Sequence, residues 1–518
     1  MILVYPPVAK ACEPPAGIAR LMGALHHHGA KCKILDANLE GLLTLLSGPH
    51  LPSDTWTQRA SHNLSTHLTS LRSWPLYHHF FRYKRAVEDL NRLLMMAAIP
   101  QRVRLGLANY QHQGLSPARS ADLIRAAERP EENPFYPYFQ KRLLQVLEEA
   151  QSSIVGFSLN YLSQALGTFA MIGFLKRQCP GLTLVLGGGL VTSWIRMSSW
   201  QNPFQGLLDS FVAGPGEYPL LAMMKIQGEP NEVLFPPEYD SLHLEDYLAP
   251  GAILPYSSGN GCYWNRCLFC PERVEGNPYV PIPVDRVILD LDSLAKKVQP
   301  VLIHLLDQAI RPALMEKITD HPPGVPWYGF ARITRHLADL DFCLALKKSG
   351  CVMLQLGLES GDQGVLDQMQ KGFDLGVASL ALKNLKKAGI ATYVYLLFGT
   401  PWETLTEARR TLEFTVQHQD QISFLNLALF NLPIDSQETQ NLEAKKFYEG
   451  DLTLYTNFSH PRGWNRHLVK QFLDKEFKRH PAIAPILRRD PPIFTSNHAP
   501  FFVMGKGHET VRDDGHEE

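Results

Sequence analysis

"GNGCYWNRCLFCPER", residues 259–273, places three cysteines within nine positions of a chain that has only eight. Cys262, Cys267 and Cys270 follow a short apolar run, so we expect them on a loop at the carboxyl end of a strand. By composition, this three-cysteine spacing should arise by chance roughly 0.002 times per chain. Thiolates at spacings of five and three residues fit a loop wrapped around one metal centre, so we interpret them as metal ligands.

The identity of that metal centre follows from the number of ligands. Structural zinc usually takes four ligands, arranged as two separated pairs. No second cysteine pair is present, and the nearby His304 has no partner in the sequence pattern. Three thiolates leave one coordination position free, which matches an iron–sulfur cube with one open iron. Zinc and buried structural thiols remain the alternative interpretations.

Length and composition limit the possible classes of protein. A chain of 518 residues is too long for one core, so we expect two to four domains. A formal net charge of −1 and 45% hydrophobic residues indicate ordinary globular domains, with no nucleic-acid or membrane surface evident. The other five cysteines are scattered, which favours a reducing, cytoplasmic environment over a disulfide framework.

The first part of the chain, residues 1–235, alternates strand and helix signals. An apolar strand opens it, a helix with a periodic apolar face follows, and "KCKILDANLEG" (31–41) is predicted as a strand and its exit loop. Residues 46–150 interrupt the pattern and are predicted as a helical insertion. Strand, glycine turn and helix then recur, which predicts an α/β domain with a doubly wound, Rossmann-like parallel sheet. Ligands of such sheets bind beyond the carboxyl ends of the strands.

A second α/β series follows a Pro-rich, acidic stretch at 236–250, which we predict to be a linker. Between 251 and 435, six strands alternate with helical stretches, which predicts a partial (β/α)6 barrel. Residues 436–518 are predicted as a helical C-terminal region. Within this region, "RRDPPIFTSNHAPFFV" (488–503) is expected to be irregular, and the last residues, 507–518, are expected to be disordered.

Two further motifs accompany the cysteines in the predicted barrel. They are "LQLGLESGDQGVLDQMQKG" (354–372) after the fourth strand and "YLLFGTPWET" (395–404) after the fifth. In this order, the three elements resemble the radical S-adenosylmethionine enzymes. The resemblance implies that the three cysteines hold a 4Fe–4S cluster whose free iron chelates the methionyl part of S-adenosylmethionine. One departure is the Cys-x4-Cys-x2-Cys spacing, one residue longer than the commonest family spacing, so the loop must bulge.

The same resemblance implies a cofactor-binding set around the cluster. The implied roles are an aromatic position beside the adenine, carboxylate and hydroxyl contacts to the ribose or methionyl group, an arginine for the methionyl carboxylate, and a turn near the adenine. In that order, these residues are Phe269, Glu359 and Ser360, Arg332, and Gly399 with Pro401. Simple packing for Phe269 and helix capping by residues 359–363 remain open alternatives. No catalytic residue is assigned.

The motifs of the first domain, in their order before this barrel, resemble a cobalamin-binding domain. The sequence carries "LVLGGG" (184–189) and "FVAGPGEYP" (211–219) at two predicted strand ends. The resemblance implies a cobalamin site formed by Asn38, Ser158, Gly187, Gly188, Gly189 and Gly214. Asn38 stands where many cobalamin domains carry a cobalt-ligating histidine. We therefore expect no histidine ligand from residues 36–41.

Together, the two resemblances imply a cobalamin-dependent radical enzyme. Such an enzyme cleaves S-adenosylmethionine reductively to a 5′-deoxyadenosyl radical and methylates an unactivated carbon of a small-molecule or peptide substrate. It needs a reductant such as flavodoxin or ferredoxin. The alternatives are radical rearrangement, cyclisation or oxidation without methyl transfer, and a non-catalytic sensor that binds cluster and cobalamin.

Overall fold

The computed structural model describes residues 1–49, 54–226, 235–437, 441–445 and 450–505. The predicted disordered end, 507–518, lies outside these ranges. The chain begins with β1 (Ile2–Tyr5), α1 (Ala16–His27), β2 (Lys33–Asp36) and α2 (Ala37–Ser47). The prediction of an exit loop after β2 is wrong, because α2 follows the strand directly. The Asp36 carboxylate accepts hydrogen bonds from the N–H groups of Asn38 and Leu39, so it caps a helix that starts without a loop.

The predicted insertion is mostly helical in the structure. Its elements are α3 (Thr55–His62), α4 (Leu64–Leu71), α5 (Phe80–Ala98), β3 (Val103–Leu105), β4 (Tyr110–His112), α6 (Ser120–Glu128) and α7 (Tyr136–Ala150). The antiparallel hairpin β3–β4 is a feature that the sequence did not indicate. The helix α7 leads directly into the next strand of the first sheet, so it also serves as a crossover between parallel strands.

The first sheet is completed by β5 (Ile154–Ser158), α8 (Leu162–Gln178), β6 (Thr183–Gly187), α9 (Gly189–Arg196), β7 (Ser210–Val212) and α10 (Glu217–Met223). Its five strands run parallel in the order β2-β1-β5-β6-β7. Leu3 faces the cluster of α1 and α10, whereas Ile2 and Val4 face the cluster of α2, α7 and α8. The predicted doubly wound sheet is confirmed.

Residues 236–250, predicted as a linker, are held against the first domain. The Glu238 N–H donates to Ala19 O at 2.9 Å, and the Leu248 N–H donates to Ala11 O at 2.8 Å. The buried Tyr247 hydroxyl donates to Asp36 at 2.5 Å. The segment therefore fixes the direction in which the chain enters the second sheet.

The second sheet begins with β8 (Ile253–Tyr256), and the remaining elements follow in chain order. They are β9 (Gly259–Asn260), α11 (Pro271–Val274), β10 (Val280–Pro281), α12 (Val284–Val298), β11 (Leu302–Leu305), α13 (Pro312–Asp320), β12 (Trp327–Ala331), α14 (Leu340–Lys348), β13 (Cys351–Glu359), α15 (Gln363–Gln368), α16 (Leu375–Ala388), β14 (Ala391–Phe398), α17 (Leu405–Gln417) and β15 (Phe424–Leu429). Six strands pair in parallel in the order β15-β14-β13-β12-β11-β8. This order confirms the predicted partial barrel.

The C-terminal region contains β16 (Leu432–Pro433), β17 (Ala444–Lys445), β18 (Tyr455–Phe458), α18 (Arg466–Phe472), a π-helical turn (Leu473–Phe477), α19 (Ala484–Arg488) and α20 (Thr495–Met504). The expectation of an irregular segment at 488–503 is wrong for its second half. α20 forms despite an internal proline because residues 497–502 are buried in the folded protein. Tertiary packing outweighs the local cost of Pro500.

α20 connects the parts of the molecule. The Lys10 ammonium donates to Thr495 Oγ1 at 2.8 Å and to Asn497 Oδ1 at 3.0 Å. The Tyr83 hydroxyl from α5 lies 2.8 Å from His498 Nδ1, and burial lowers the pKa of that histidine to about 3. The helix also contacts β13 and β14 of the barrel. The tail therefore joins the insertion, the first domain and the barrel.

We predict that Phe501→Ala destabilises the protein by about 3–5 kcal/mol, because it empties a fully buried site beside Trp74 and Tyr77. The control is Phe81→Ala, since Phe81 is 85% exposed and its loss should change stability by less than about 0.5 kcal/mol. Thermal unfolding of the three proteins measures the difference. Equal melting temperatures for Phe501→Ala and Phe81→Ala would contradict the packing role of α20.

Candidate functional site

The three cysteines lie on a loop at residues 257–281, here called the cysteine loop. It leaves the barrel after β8, and its two ends are held together by the antiparallel pair β9–β10. The Ser258 N–H and hydroxyl donate to the Asp307 carboxylate, at 3.2 and 2.5 Å, and Asp307 follows β11. Burial raises the pKa of Asp307. The loop therefore starts from a fixed point at the carboxyl edge of the barrel.

All three cysteines are free and half-buried. Burial raises the pKa of Cys270 to about 11, and the neighbouring thiols of Cys267 and Cys262 add to the rise. Burial also raises the pKa of Cys267, although the cations of Lys371 and Arg332 oppose it. The thiols of Cys267 and Cys270 are thus protonated at neutral pH until a metal displaces their protons.

The spread of these thiols bears on the kind of metal centre they fit. Among the residues that the structure describes, no three His, Cys, Asp or Glu side chains converge as the ligands of one ion would. The thiols of Cys267 and Cys262 nevertheless both contribute to the raised pKa of Cys270. Three free thiols spread over one loop fit a cluster whose irons are each held by a different cysteine.

The extra residue between the first two cysteines is accommodated by a left-handed backbone and an aromatic side chain. Asn265 has a φ of 42°, which bulges the loop. The preceding Trp264 donates its indole N–H to Gln370 O at 3.0 Å. A Cβ at Gly372 would lie 2.2 Å from the Trp264 ring, so only glycine leaves room for the indole.

Arg332, predicted to bind a carboxylate, lies against the cysteine loop. Its guanidinium stacks 3.6 Å from the centroid of the Trp264 ring and donates to Lys371 O. Its buried Nε has no hydrogen-bond partner among the described residues. That orphaned donor fits an anionic ligand group, such as the carboxylate of an amino acid.

Glu359 ends β13 in a left-handed conformation, with a φ of 65°, where the β13–β14 register shifts. Its Oε1 lies 3.2 Å from the buried Lys371 ammonium. Gly357 leaves room for the pair, since a Cβ there would lie 2.7 Å from Glu359 Oε1. The same ammonium lies 5.5 Å from the centroid of the Phe269 ring. Phe269 and Glu359 therefore both lie close to the ammonium of Lys371, a lysine that the sequence did not single out.

Ser360 has a different environment from its predicted one. Its side chain is fully buried, and its hydroxyl accepts the Asp362 N–H at 3.1 Å and lies 3.2 Å from Thr411 Oγ1 on α17. Asp362 in turn caps α15 by accepting the Val365 N–H. This arrangement favours the capping alternative for the Ser360 hydroxyl over a cofactor contact.

The turn after β14 is organised by a carboxyl group. Gly399, with a φ of 81°, donates its N–H to Glu403 Oε2 at 2.5 Å across the turn that contains Pro401. The Trp464 indole N–H donates to the same oxygen at 2.9 Å. Glu403 is fully buried, and desolvation raises its pKa to about 7. The sequence motif contains this glutamate, but its role in holding the turn was not predicted.

The predicted glycine turns of the first sheet converge on a cavity of about 620 Å³. The first domain contributes Ser158, Gly187, Gly188, Gly189 and Gly214 to its lining. The opposite wall comes from the barrel and from the cysteine loop, including Ser257, Asn260 and Glu275. One open space is thus shared by the carboxyl ends of both sheets.

The glycines of this cavity serve different purposes. Gly188 has a φ of 110°, and a Cβ there would lie 2.4 Å from Leu159 O, so its own backbone requires glycine. A Cβ at Gly189 would meet nothing closer than Asn160 Oδ1 at 3.7 Å. At Gly17 of α1, which also lines the cavity, nothing lies within 4 Å. Gly189 and Gly17 therefore border open space that a ligand could fill.

Asn38, expected at the cobalamin site, does not line this cavity. It lies in the first turn of α2, 1% exposed, and its Oδ1 accepts the Ala9 N–H at 2.8 Å. Its side chain is thus used in fixing the loop after β1. The placement of Asn38 in a ligand-facing loop is corrected by the helix that starts at Ala37.

Comparison with known proteins finds similar sequences and similar solved structures. Residues 256–415 match the model of the radical SAM superfamily. A Pyrococcus horikoshii protein, named only as an uncharacterised methyltransferase, is 26% identical over 262 residues. The aligned region covers 46% of this chain and 53% of that protein, so the chain spans about half the length of the curated relative that it matches.

Two solved structures are similar at low sequence identity. The radical S-adenosylmethionine methyltransferase TsrM from Kitasatospora setae, solved with cobalamin and a [4Fe-4S] cluster, has a TM-score of 0.49 at 15% identity, covering 83% of this chain and 75% of that chain. The cobalamin-dependent S-adenosylmethionine radical enzyme OxsB, solved with aqua-cobalamin, has a TM-score of 0.45 at 18% identity, covering 56% and 46%. Across the described ranges, no helix is long and apolar enough to cross a membrane.

We predict that Glu403 makes stability fall as pH rises from about 4.5 to about 7. The unfolded carboxyl loses its proton near the ordinary value of 4.5, whereas the folded one keeps it until about 7. The loss is on the order of 3 kcal/mol and is complete above the folded pKa. Glu403→Gln should remove this part of the pH dependence while keeping an oxygen acceptor for Gly399 and Trp464.

Thermal unfolding between pH 5 and pH 8 tests the assignment. The matched control is Glu413→Gln, an exposed position on the nearby helix α17. The free energy of unfolding of Glu403→Gln should rise relative to that of wild type as pH increases. The difference between Glu413→Gln and wild type should stay constant. Parallel curves for Glu403→Gln and wild type would show that Glu403 does not titrate in this way.

Proposed function

We propose that the protein is a cobalamin-dependent radical S-adenosylmethionine enzyme that methylates an unactivated carbon of a small-molecule or peptide substrate. The observation that carries this proposal is the shared cavity, which brings the glycine turns of a doubly wound sheet against the cysteine loop of a radical S-adenosylmethionine domain. The name of the Pyrococcus horikoshii relative supports methyl transfer. The division at 1–235, 236–250, 251–435 and 436–518 is part of the proposal.

The residues of the barrel would hold the first two cofactors. Cys262, Cys267 and Cys270 would be the ligands of a 4Fe–4S cluster, which leaves one iron for S-adenosylmethionine. The orphaned Nε of Arg332 would receive the methionyl carboxylate. The Glu359 carboxylate, held by Lys371, would accept hydrogen bonds from the amino group or the ribose hydroxyls.

The first domain would hold cobalamin in the shared cavity. Gly187 and Gly189 leave the backbone accessible, and α9 begins at Gly189 on the cavity lining. When bound, the cluster with S-adenosylmethionine supplies hydrogen abstraction from an inert carbon, and cobalamin supplies the methyl group. The protein's part is to hold these groups in one enclosed space.

The cellular setting is proposed from the thiols. All eight cysteines are free, as expected in a reducing cytoplasm. A reduced cluster requires an electron donor, so we propose a flavodoxin or a ferredoxin as the partner protein.

We predict that Cys262→Ala, Cys267→Ala and Cys270→Ala each lower the iron bound after anaerobic reconstitution from about four per chain to below about one. Each change removes one of only three ligands. Iron and sulfide assays, together with electron paramagnetic resonance of the reduced protein, give the measurement. Cys179→Ala is the control, because Cys179 is also partly exposed but lies at the end of α8, outside the loop. Full iron content in Cys267→Ala would overturn the ligand assignment.

The reaction itself is tested by incubating wild type, reconstituted with the cluster and loaded with hydroxocobalamin as the methyl acceptor, with dithionite and S-adenosylmethionine. Release of 5′-deoxyadenosine supports a radical enzyme, and S-adenosylhomocysteine released with it supports methyl transfer. Release of deoxyadenosine alone would instead support a radical enzyme that catalyses rearrangement, cyclisation or oxidation. If protein with a full cluster releases neither product, the remaining function is a non-catalytic sensor that binds the cluster and cobalamin.

We predict that Gly189→Leu weakens hydroxocobalamin binding at least tenfold, because its side chain enters the open cavity without meeting protein. Gly17→Leu should act similarly from the α1 side. The control is Gly181→Leu, where nothing lies within 4 Å and the position is not part of the cavity lining. Visible absorption after removal of free ligand measures retention. Wild type that retains no corrinoid would refute the cobalamin proposal.

A further inference from the structure

Two arginines of the first domain hold the two ends of the cysteine loop. Arg20 projects from α1, and Arg196 is the last residue of α9. Both line the shared cavity. We propose that they are positioning residues that form a clasp between the cavity and the cysteine loop, so that each site changes the ligand affinity of the other. The affinity part of this inference rests on the proposed function.

The first half of the clasp holds the beginning of the loop. Arg20 Nη1 donates to Asn260 Oδ1 at 2.9 Å, two residues before Cys262. Its Nε pairs with the buried Glu217 carboxylate at 2.5 Å, and Glu217 begins α10 at the floor of the cavity. The Arg20 side chain is only 20% exposed, so these bonds are partly shielded from water. Asn260 is thus tied to two helices of the first domain.

The second half holds the end of the loop. Arg196 Nη1 donates to Glu275 O at 2.9 Å and to the side-chain oxygen of Asn277. The Glu275 carboxylate accepts the Ser193 hydroxyl at 2.6 Å and the Asn277 amide at 3.0 Å. Glu275 lies five residues after Cys270. Helix α9 therefore holds the loop through the side chains of Ser193 and Arg196.

The position of α9 makes the clasp responsive to the cavity. The helix begins at Gly189, directly after the glycines that line the cavity floor, and ends at Arg196. A ligand that displaces the start of α9 also displaces the residues at its end, because a helix of two turns moves as a unit. Whatever free energy the clasp transmits in one direction it must transmit in the other.

The clasp is tested first without any cofactor. Alkylation of each cysteine by iodoacetamide, mapped by mass spectrometry, reports how firmly the loop is held. In the double variant Arg20→Met, Arg196→Met, we expect Cys262, Cys267 and Cys270 to react at least about fivefold faster, as for a local loss of about 1 kcal/mol. Cys179 should be unchanged. Arg409→Met is the matched control, because Arg409 pairs with Glu476 away from the cavity. Unchanged rates would overturn the clasp.

The second test separates a clasp from direct ligand binding by the arginines. Asn260→Ala with Asn277→Ala removes the side-chain partners of the two arginines on the loop, keeps the bond from Arg196 to Glu275 O, and leaves both arginine charges in place. Hydroxocobalamin affinity is measured on iron-free and reconstituted protein. In wild type we expect a ratio of at least about fivefold, which both double variants should reduce to near one.

The outcomes distinguish the two proposals. A loss of affinity in the arginine variant with an unchanged ratio would mean that the arginines contact the ligand, and the coupling would be refuted. Wild type that binds no hydroxocobalamin would refute both the cobalamin proposal and the coupling. The alkylation rates would still decide whether the arginines hold the loop.

Discussion

The stacking of the Arg332 guanidinium on the Trp264 indole connects the cysteine loop to the barrel. The loop has little regular structure beyond a two-residue ladder and a four-residue helix, so it depends on side-chain contacts. A partly desolvated cation over an indole contributes about 1–2 kcal/mol. Because Arg332 follows β12 and the indole also bonds to Gln370, after α15, the stack orients the loop relative to two βα connections of the barrel.

Three carboxyl groups, one fully buried and two half-buried, organise the same edge of the barrel. Asp307, Glu359 and Glu403 follow or end three of its strands, and each accepts hydrogen bonds from, or pairs with, groups on its own turn or on a neighbouring one. In a dry environment, a buried polar group left without partners costs about 1–3 kcal/mol. Each group therefore resists any movement of the turn that it holds. The rim is rigid at these three points, and the cavity opens between them and the first sheet.

The sequence predicted the elements whose signals are local. The apolar run at 352–358 became β13, and the helix before Gly389 ends there with a φ of 75°. It failed at α2 because the capping role of Asp36 was not recognised, and at α20 because burial stabilises a helix that contains Pro500. These errors concern tertiary contacts and one overlooked cap.

The candidate site shows the same division. The spacing of the cysteines was visible in fifteen residues, and the glycines after β6 were visible as a run. The parts played by Trp264 and Lys371 were not, since the indole bonds to a carbonyl 106 residues away. Arg20 likewise bonds to a residue 240 positions later, and no local pattern reports such a contact. Spacing therefore identified the candidate ligands, whereas only the folded chain shows how they are supported.

The burial of α20 also governs when the protein can finish folding on the ribosome. Lys10 and Thr495, which bond in the folded state, are separated by 485 residues. At about 5–20 residues per second, roughly 25–100 s of synthesis separate the two. During that interval the apolar surfaces of Tyr77 and Tyr83 lack the helix that covers them. The nascent chain must therefore leave these apolar surfaces exposed until α20 has been synthesised. It is most prone to aggregation before that helix packs against them.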